Sequence, residues 1–152
     1  MYGRAAQQNR ETLYRLVRPA EDRERMTESD AARAMRRMVA AFATGDTHDC
    51  HEYVSASYVD HQGRGGVPLH GPDGFEQVVR AAHRSTTPQL KVEDLIADET
   101  RAVARIHWRF TPPDQGDPVD RETIEIIRVE GAEAVEHWGA EAWSRTVPRA
   151  AV

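Results

Sequence analysis

Residues 101–110 read RAVARIHWRF, and they alternate without a break. Ala102, Ala104, Ile106, Trp108 and Phe110 fall on one side; Val103, Arg105, His107 and Arg109 fall on the other. A period of two marks a strand with one face in a core and the other toward solvent. Trp108 is therefore expected inside and His107 outside. Three more β-type runs accompany this one: QLKVEDLIAD (89–98), RETIEIIRVE (121–130) and AEAVEHWGAEAW (132–143). DET, PPDQGDP and GA, which separate the four runs, carry turn chemistry. The second half of the chain thus reads as consecutive antiparallel strands.

Working back toward the N-terminus, the period changes to that of helices. GFEQVVRAAHRS (74–85) places Phe75, Val78, Val79 and Ala82 on one face, with Asp73 available as its cap. TESDAARAMRRMVAAFATGD (27–46) opens on a capping cluster and repeats Ala31, Met35, Met38, Val39 and Phe42 at helical spacing until Gly45 stops it. Between these two, THDCHEYVSASYVDH is expected as a short helix running into a short extended piece around Tyr58–His61. GRGGVPLHGPDG, dense in Gly and Pro, is expected as a loop. Helices first and strands after make an α+β domain. A curved antiparallel sheet with helices across its concave face would form a cone with one closed apolar end. We assign this domain to residues 29–147 and a helical extension to 1–28, whose Leu13, Leu16 and Val17 form a narrow stripe suited to an arm.

The 152 residues suit one domain, which at this size buries roughly 68–70% of its unfolded surface, enough for a core with an internal pocket. A net charge of −5 and no long basic run argue against nucleic acid. The arginines of ARAMRRM belong to a solvated helix face. Cys50 is the lone cysteine, so neither an intrachain disulfide nor a cysteine zinc cluster can form. No secretory signal is visible, and no apolar run approaches the roughly 20 residues of a membrane span, so a cytoplasmic location is expected. His48, His51, His70 and His83 lie in separate segments without metal-ligand spacing, and no nucleotide-binding glycine pattern occurs. No metal and no cofactor are expected. TIEII (123–127) is apolar on both faces apart from Glu125, which predicts a homodimer through the outer face of the sheet.

Three stretches, YVDHQ (58–62), HGPDGFEQVVRAAHRSTTPQLKVEDLIAD (70–98) and IIRVEGAEAVEHWG (126–139), occur in an order that resembles the SnoaL-like polyketide cyclases of the NTF2-like superfamily. That resemblance implies an α+β cone, a deep hydrophobic pocket for a polycyclic aromatic polyketide, and acid–base chemistry with no metal or organic cofactor. In the aldol cyclases the last-strand motif looks like EHWD, its Asp transferring the proton. A histidine stands twelve residues before the motif's own, and an amide often follows the YVDH histidine. Carried onto this chain, the motif histidine is His137 and the amide Gln62; Glu125 replaces the strand histidine, and Gly139 replaces the Asp.

A glycine moves no proton, so a ring cyclase here needs another carboxylate, and Glu125 is the candidate. If Glu125 shares the pocket face with Thr123 and Ile127, it can pair with His137 as the catalytic acid–base couple. Loss of the Asp also makes a related branch attractive, one implicated in hydroxylating a ring carbon of anthracycline-type polyketides. Hydroxylation is the expected activity on that ground, with a partner reductase and oxygen. The alternatives are aldol ring closure through Glu125, epoxide opening or isomerisation on the same cone, and a binding module without turnover. His61, Gln62, Trp108, Tyr58 and Phe75 are the candidate substrate contacts, while Trp138, alternating away from His137, is expected at the dimer face.

Overall fold

The computed structural model describes residues 28–114 and 116–147. The expected N-terminal arm lies outside the described residues. Helix α1 (Asp30–Thr44) starts where the sequence places it, with Ser29 accepting a hydrogen bond from the Ala32 N–H at 3.2 Å. Gly45, at φ 77°, closes it, its N–H returning to the Ala41 carbonyl. Ala31, Met35 and Met38 are buried along one face, and Val39 and Phe42 pack beside them. Helix α2 (Gly71–Ser85) buries Phe75 and Val79. Its N-cap is His70, with no side-chain cap bond, and Asp73 lies inside the first turn. There Asp73 favours the helix through its charge near the N-terminal dipole instead of capping it.

Six strands form one sheet in the order β2 (Val67–His70), β1 (Val54–Arg64), β6 (Glu133–Thr146), β5 (Val119–Glu130), β4 (Arg101–Phe110), β3 (Gln89–Ala97). Strands β3, β4, β5 and β6 follow as an antiparallel meander. The four expected runs are these four strands, and the alternation of β4 holds: Ala102, Ala104 and Ile106 are almost wholly buried.

The segment between the helices departs from expectation. Cys50–Glu52 make one 3-10 turn, and β1 runs over Val54–Arg64, longer than the short extended piece the sequence suggested. The stretch read as a loop holds β2 (Val67–His70), paired antiparallel to β1. Gly65 and Gly66 connect the two strands with φ of 66° and 81°, positive at both as a two-residue primed hairpin turn demands. Pro68 is tolerated because β2 is an edge strand. Strand β1 pairs with β6 in parallel, so the otherwise antiparallel sheet contains one parallel pair. That crossover carries most of the functional geometry, because it sets Asp60 opposite His137.

Both helices cover the concave face. Phe75 anchors an aromatic cluster, meeting Phe42, Tyr53 and Tyr58 edge-on with ring centroids 5.7, 6.1 and 6.4 Å apart.

Candidate active site

A cavity of about 340 Å³ lies between the helices and the concave face of the sheet. It falls near the lower end of the roughly 300–1,000 Å³ typical of small-molecule sites. Met35, Met38, Val39 and Phe42 of α1 and Phe75 and Val78 of α2 form its apolar roof. Polar groups enter from the floor, where β1, β6 and β5 lie side by side.

His137 occupies the centre of that floor. It stands on β6 between Asp60 of β1 and Ile127 of β5 in register, while Glu125 of β5 pairs with Gly139. Glu125 and His137 are thus diagonal neighbours on one face, within reach of long side chains. Both imidazole nitrogens are engaged: Nδ1 lies 3.1 Å from Asp60 Oδ1 and Nε2 2.9 Å from Glu125 Oε2. Two carboxylate acceptors call for two N–H donors, which only the imidazolium has. Burial pulls the His137 pKa down, but the bonds to Asp60 and Glu125 outweigh it and push the value up to about 9. Asp60 is opposed by burial but held below the ordinary carboxylate value by His137 and by the backbone N–H groups of Gly63 and Gln62. At neutral pH the centre holds an imidazolium against the Asp60 carboxylate, not a neutral imidazole near its titration point.

Gly139 is where the chemistry departs from the EHWD pattern, and the structure gives a steric reason for it. A Cβ at position 139 would run into Glu125 Oε2 and come within 2.5 Å of Gln62 Nε2. The Glu125 carboxylate and the Gln62 amide therefore occupy the space that a residue-139 side chain would need.

The remaining candidates sort by strand parity. Tyr58, Asp60 and Gln62 share the inner face of β1 and line the cavity. Phe75 and Trp108 line it too, and Trp108 donates its indole N–H to Thr123 Oγ1 at 2.9 Å. His61 does not reach the cavity. Lying between Asp60 and Gln62, it is sent to the outer face, where it stacks on Trp138 at 4.9 Å and approaches Glu136. Sequence reasoning passed over Asp60, although period 2 from Tyr58 to Gln62 pointed straight at it. It also passed over Arg121, whose guanidinium lines the cavity beside Glu141 and lies 5.6 Å from the Trp108 ring centroid. Among the described residues no group of three or more His, Cys, Asp or Glu is set to hold a metal ion, and no helix is long and apolar enough to cross a membrane.

A family model described as the SnoaL-like domain matches residues 35–137. No curated protein sequence matches. Among solved structures, the chain is similar to a SnoaL-like polyketide cyclase from Agrobacterium tumefaciens, at 16% identity and a TM-score of 0.64 over 76% of this chain and 92% of that one. It is similar also to IdmH of Streptomyces antibioticus, a candidate polyketide cyclase, at 20% identity and a TM-score of 0.64, covering 74% and 91%. AclR of Streptomyces galilaeus, a candidate hydroxylase, aligns at 21% identity and a TM-score of 0.60, covering 74% and 78%. Identities this low speak for the shared fold.

Proposed function

Because the chain belongs to the SnoaL-like domain family, we propose that it is a tailoring enzyme that moves protons on a polycyclic, polyketide-type substrate held in the apolar cone. The observation that carries this reading is the carboxylate of Glu125, laid over Gly139 and hydrogen-bonded to a buried imidazolium. A base, an orienting cation and an anchoring anion follow one another: Glu125, His137, Asp60. Glu125 would take a proton from a carbon next to a carbonyl, the resulting enolate carbon would attack a second carbonyl, and the new alkoxide would recover a proton from the His137–Glu125 couple. No atom is gained or lost, and a ring closes.

On sequence grounds Gly139 favoured hydroxylation, because the expected Asp was missing. With Glu125 lying over Gly139, a carboxylate is available beside that position, and ring closure becomes the better supported reaction. Hydroxylation stays as the second reading, since the acid–base set itself is altered; it would need oxygen and a partner reductase. The outer face, with Trp138 and Trp143 partly exposed, suits a homodimer in either case. A single assay separates the two reactions. A reduced polycyclic polyketide is supplied under labelled oxygen with a quinone reductase, and the product is weighed by mass spectrometry. Ring closure leaves the oxygen count unchanged; incorporation of one labelled atom would sink the ring-closure reading.

A further inference from the structure

The mechanism above accounts for Glu125, His137 and Asp60 but leaves two buried, unpartnered polar atoms on residues that line the same cavity: the Tyr58 hydroxyl and Arg121 Nε. Tyr58 is a lining residue of the cavity, and its hydroxyl is buried with no hydrogen-bond partner in the protein. Tyr58 as a residue is 1% exposed, and its ring is fixed edge-on against Phe75. Of the two carboxylates whose charges act on Tyr58, each has one oxygen engaged by His137. Asp60 Oδ1 receives the N–H groups of Gln62 and Gly63 and the His137 ring, and Glu125 Oε2 receives the other ring nitrogen. An unpartnered buried hydroxyl is costly to the folded protein, and such groups call for an explanation.

We propose that Tyr58 is the oxyanion donor of this site: its hydroxyl holds the carbonyl oxygen of the substrate while Glu125 removes the neighbouring C–H proton. The step balances without a further reactant. The C–H bond breaks, its proton goes to the Glu125 carboxylate, and its electron pair moves through the new C=C bond onto the carbonyl oxygen. Tyr58 keeps its own proton and donates only a hydrogen bond. Burial first, then the charges of Asp60 and Glu125, push its pKa up, which keeps it a donor at working pH. A donor fixed before the charge develops needs no reorganisation when it appears. The role of Tyr58 rests on the proton-transfer reading, but it specifies which oxygen is gripped and from which strand.

The test uses the full chain and 2-tetralone, a bicyclic ketone with acidic C–H bonds beside its carbonyl. Deuterium exchange at C1 in heavy water is followed by NMR, and binding by quenching of tryptophan fluorescence. The native protein is expected to catalyse exchange, and Glu125→Gln to abolish it. Tyr58→Phe should lower the saturated exchange rate by on the order of 10²–10³, as removal of an oxyanion donor does. Its half-saturating concentration should change much less, and its melting temperature should stay level or rise, because the lost hydroxyl had no protein partner. Exchange by Tyr58→Phe at the native rate, or a lowered melting temperature, overturns the role of Tyr58 and leaves the proton-transfer reading standing. Bound 2-tetralone that the native protein does not exchange overturns both.

Discussion

Neighbouring residues of β6 meet opposite fates. Glu136 points outward and pairs with Arg128 across the strand, in a ladder that Glu130 extends. His137 points inward and pairs with Glu125 and Asp60. Both clusters join carboxylates to a cation at hydrogen-bond distance, and they lie one residue apart. What separates them is solvent. The inner side chains are 5–13% exposed, and the outer ones of Arg128 and Glu136 about twice that or more, at 30% and 27%. Charges screened by water interact weakly, while charges inside a dry pocket control one another's protonation. The outer cluster is therefore a solvated feature of the sheet surface, and the inner one is the cluster for which proton transfer is proposed.

The sharpest way to break that comparison is to neutralise one carboxylate on each side. Glu125→Gln should lower proton-transfer turnover by about 10²–10⁴ with circular dichroism unchanged, whereas Glu136→Gln should leave turnover where it was. Equal losses would mean that the inner cluster is merely structural. Next in size is removal of the shared cation. His137→Leu leaves Asp60 and Glu125 buried face to face without compensation, a change expected to destabilise the fold by about 3–5 kcal/mol in urea titration. A loss too small to measure would show that water already reaches the floor of the cavity.

Acidity then sharpens the same contrast. His137 rises from an ordinary 6.5 to about 9 in the folded protein, so its contribution is complete below pH 6.5 and disappears as pH climbs through about 9. At about 1.4 kcal/mol per pH unit, the stability lost is on the order of 3 kcal/mol. Asp60, lowered from 3.8, acts in the opposite sense: its contribution is present above that value and is lost as pH falls through its lower folded value. Stability measured by urea titration should therefore be flat from about pH 4 to 6.5 and decline toward 9. A flat profile through pH 9 would contradict a protonated His137.

How much of this was legible in the sequence follows from the physics of each element. The β4 alternation and the α1 stripe were plain because period 2 and period 3.6 act over ten or more residues. The β1–β2 hairpin was not, because an edge strand of four residues, VPLH, has too short a pattern to outweigh its Gly and Pro content. The pairing of Glu125 with His137 could be read from strand parity within β5 and β6. Asp60 could not be placed against them, since its partner strand lies over seventy residues away and joins in parallel. His61 was misplaced because a motif names residues without naming faces. The Gly139 substitution was visible, but its steric cause, a carboxylate from the opposite strand, appears only in three dimensions.

Gly139 supplies a subtler probe. A Cβ there meets Glu125 Oε2 and Gln62 Nε2, both at the ends of side chains that can rotate away. Gly139→Ala should therefore cost only about 1–3 kcal/mol through overpacking, while turning Glu125 off His137 and depressing turnover. Coupled substitution tells collision from a general strand effect. In Gly139→Ala/Glu125→Ala the stability losses should fail to add by about 0.5–3 kcal/mol, since the second change removes the atom that the first one hits. Additive losses would mean that the two positions do not compete for the same space.

The smallest effect belongs to the outer face, and its smallness is the informative part. Arg128 and Glu136 sit in good geometry, and Arg128 lowers the Glu136 pKa, so structure alone gives no sign that the pair is dispensable. Both side chains nevertheless keep contact with water, which solvates them equally well when they are apart, and holding two long side chains together costs rotamer entropy. The double variant Arg128→Gln/Glu136→Gln should leave the urea midpoint unchanged within error. Whatever difference appears in dilute buffer should vanish at 1 M salt, where the screening length is about 3 Å. A large, salt-independent loss would show instead that this face is buried against a second copy of the chain, and the contrast between the two sides of β6 would then be one of partner rather than solvent.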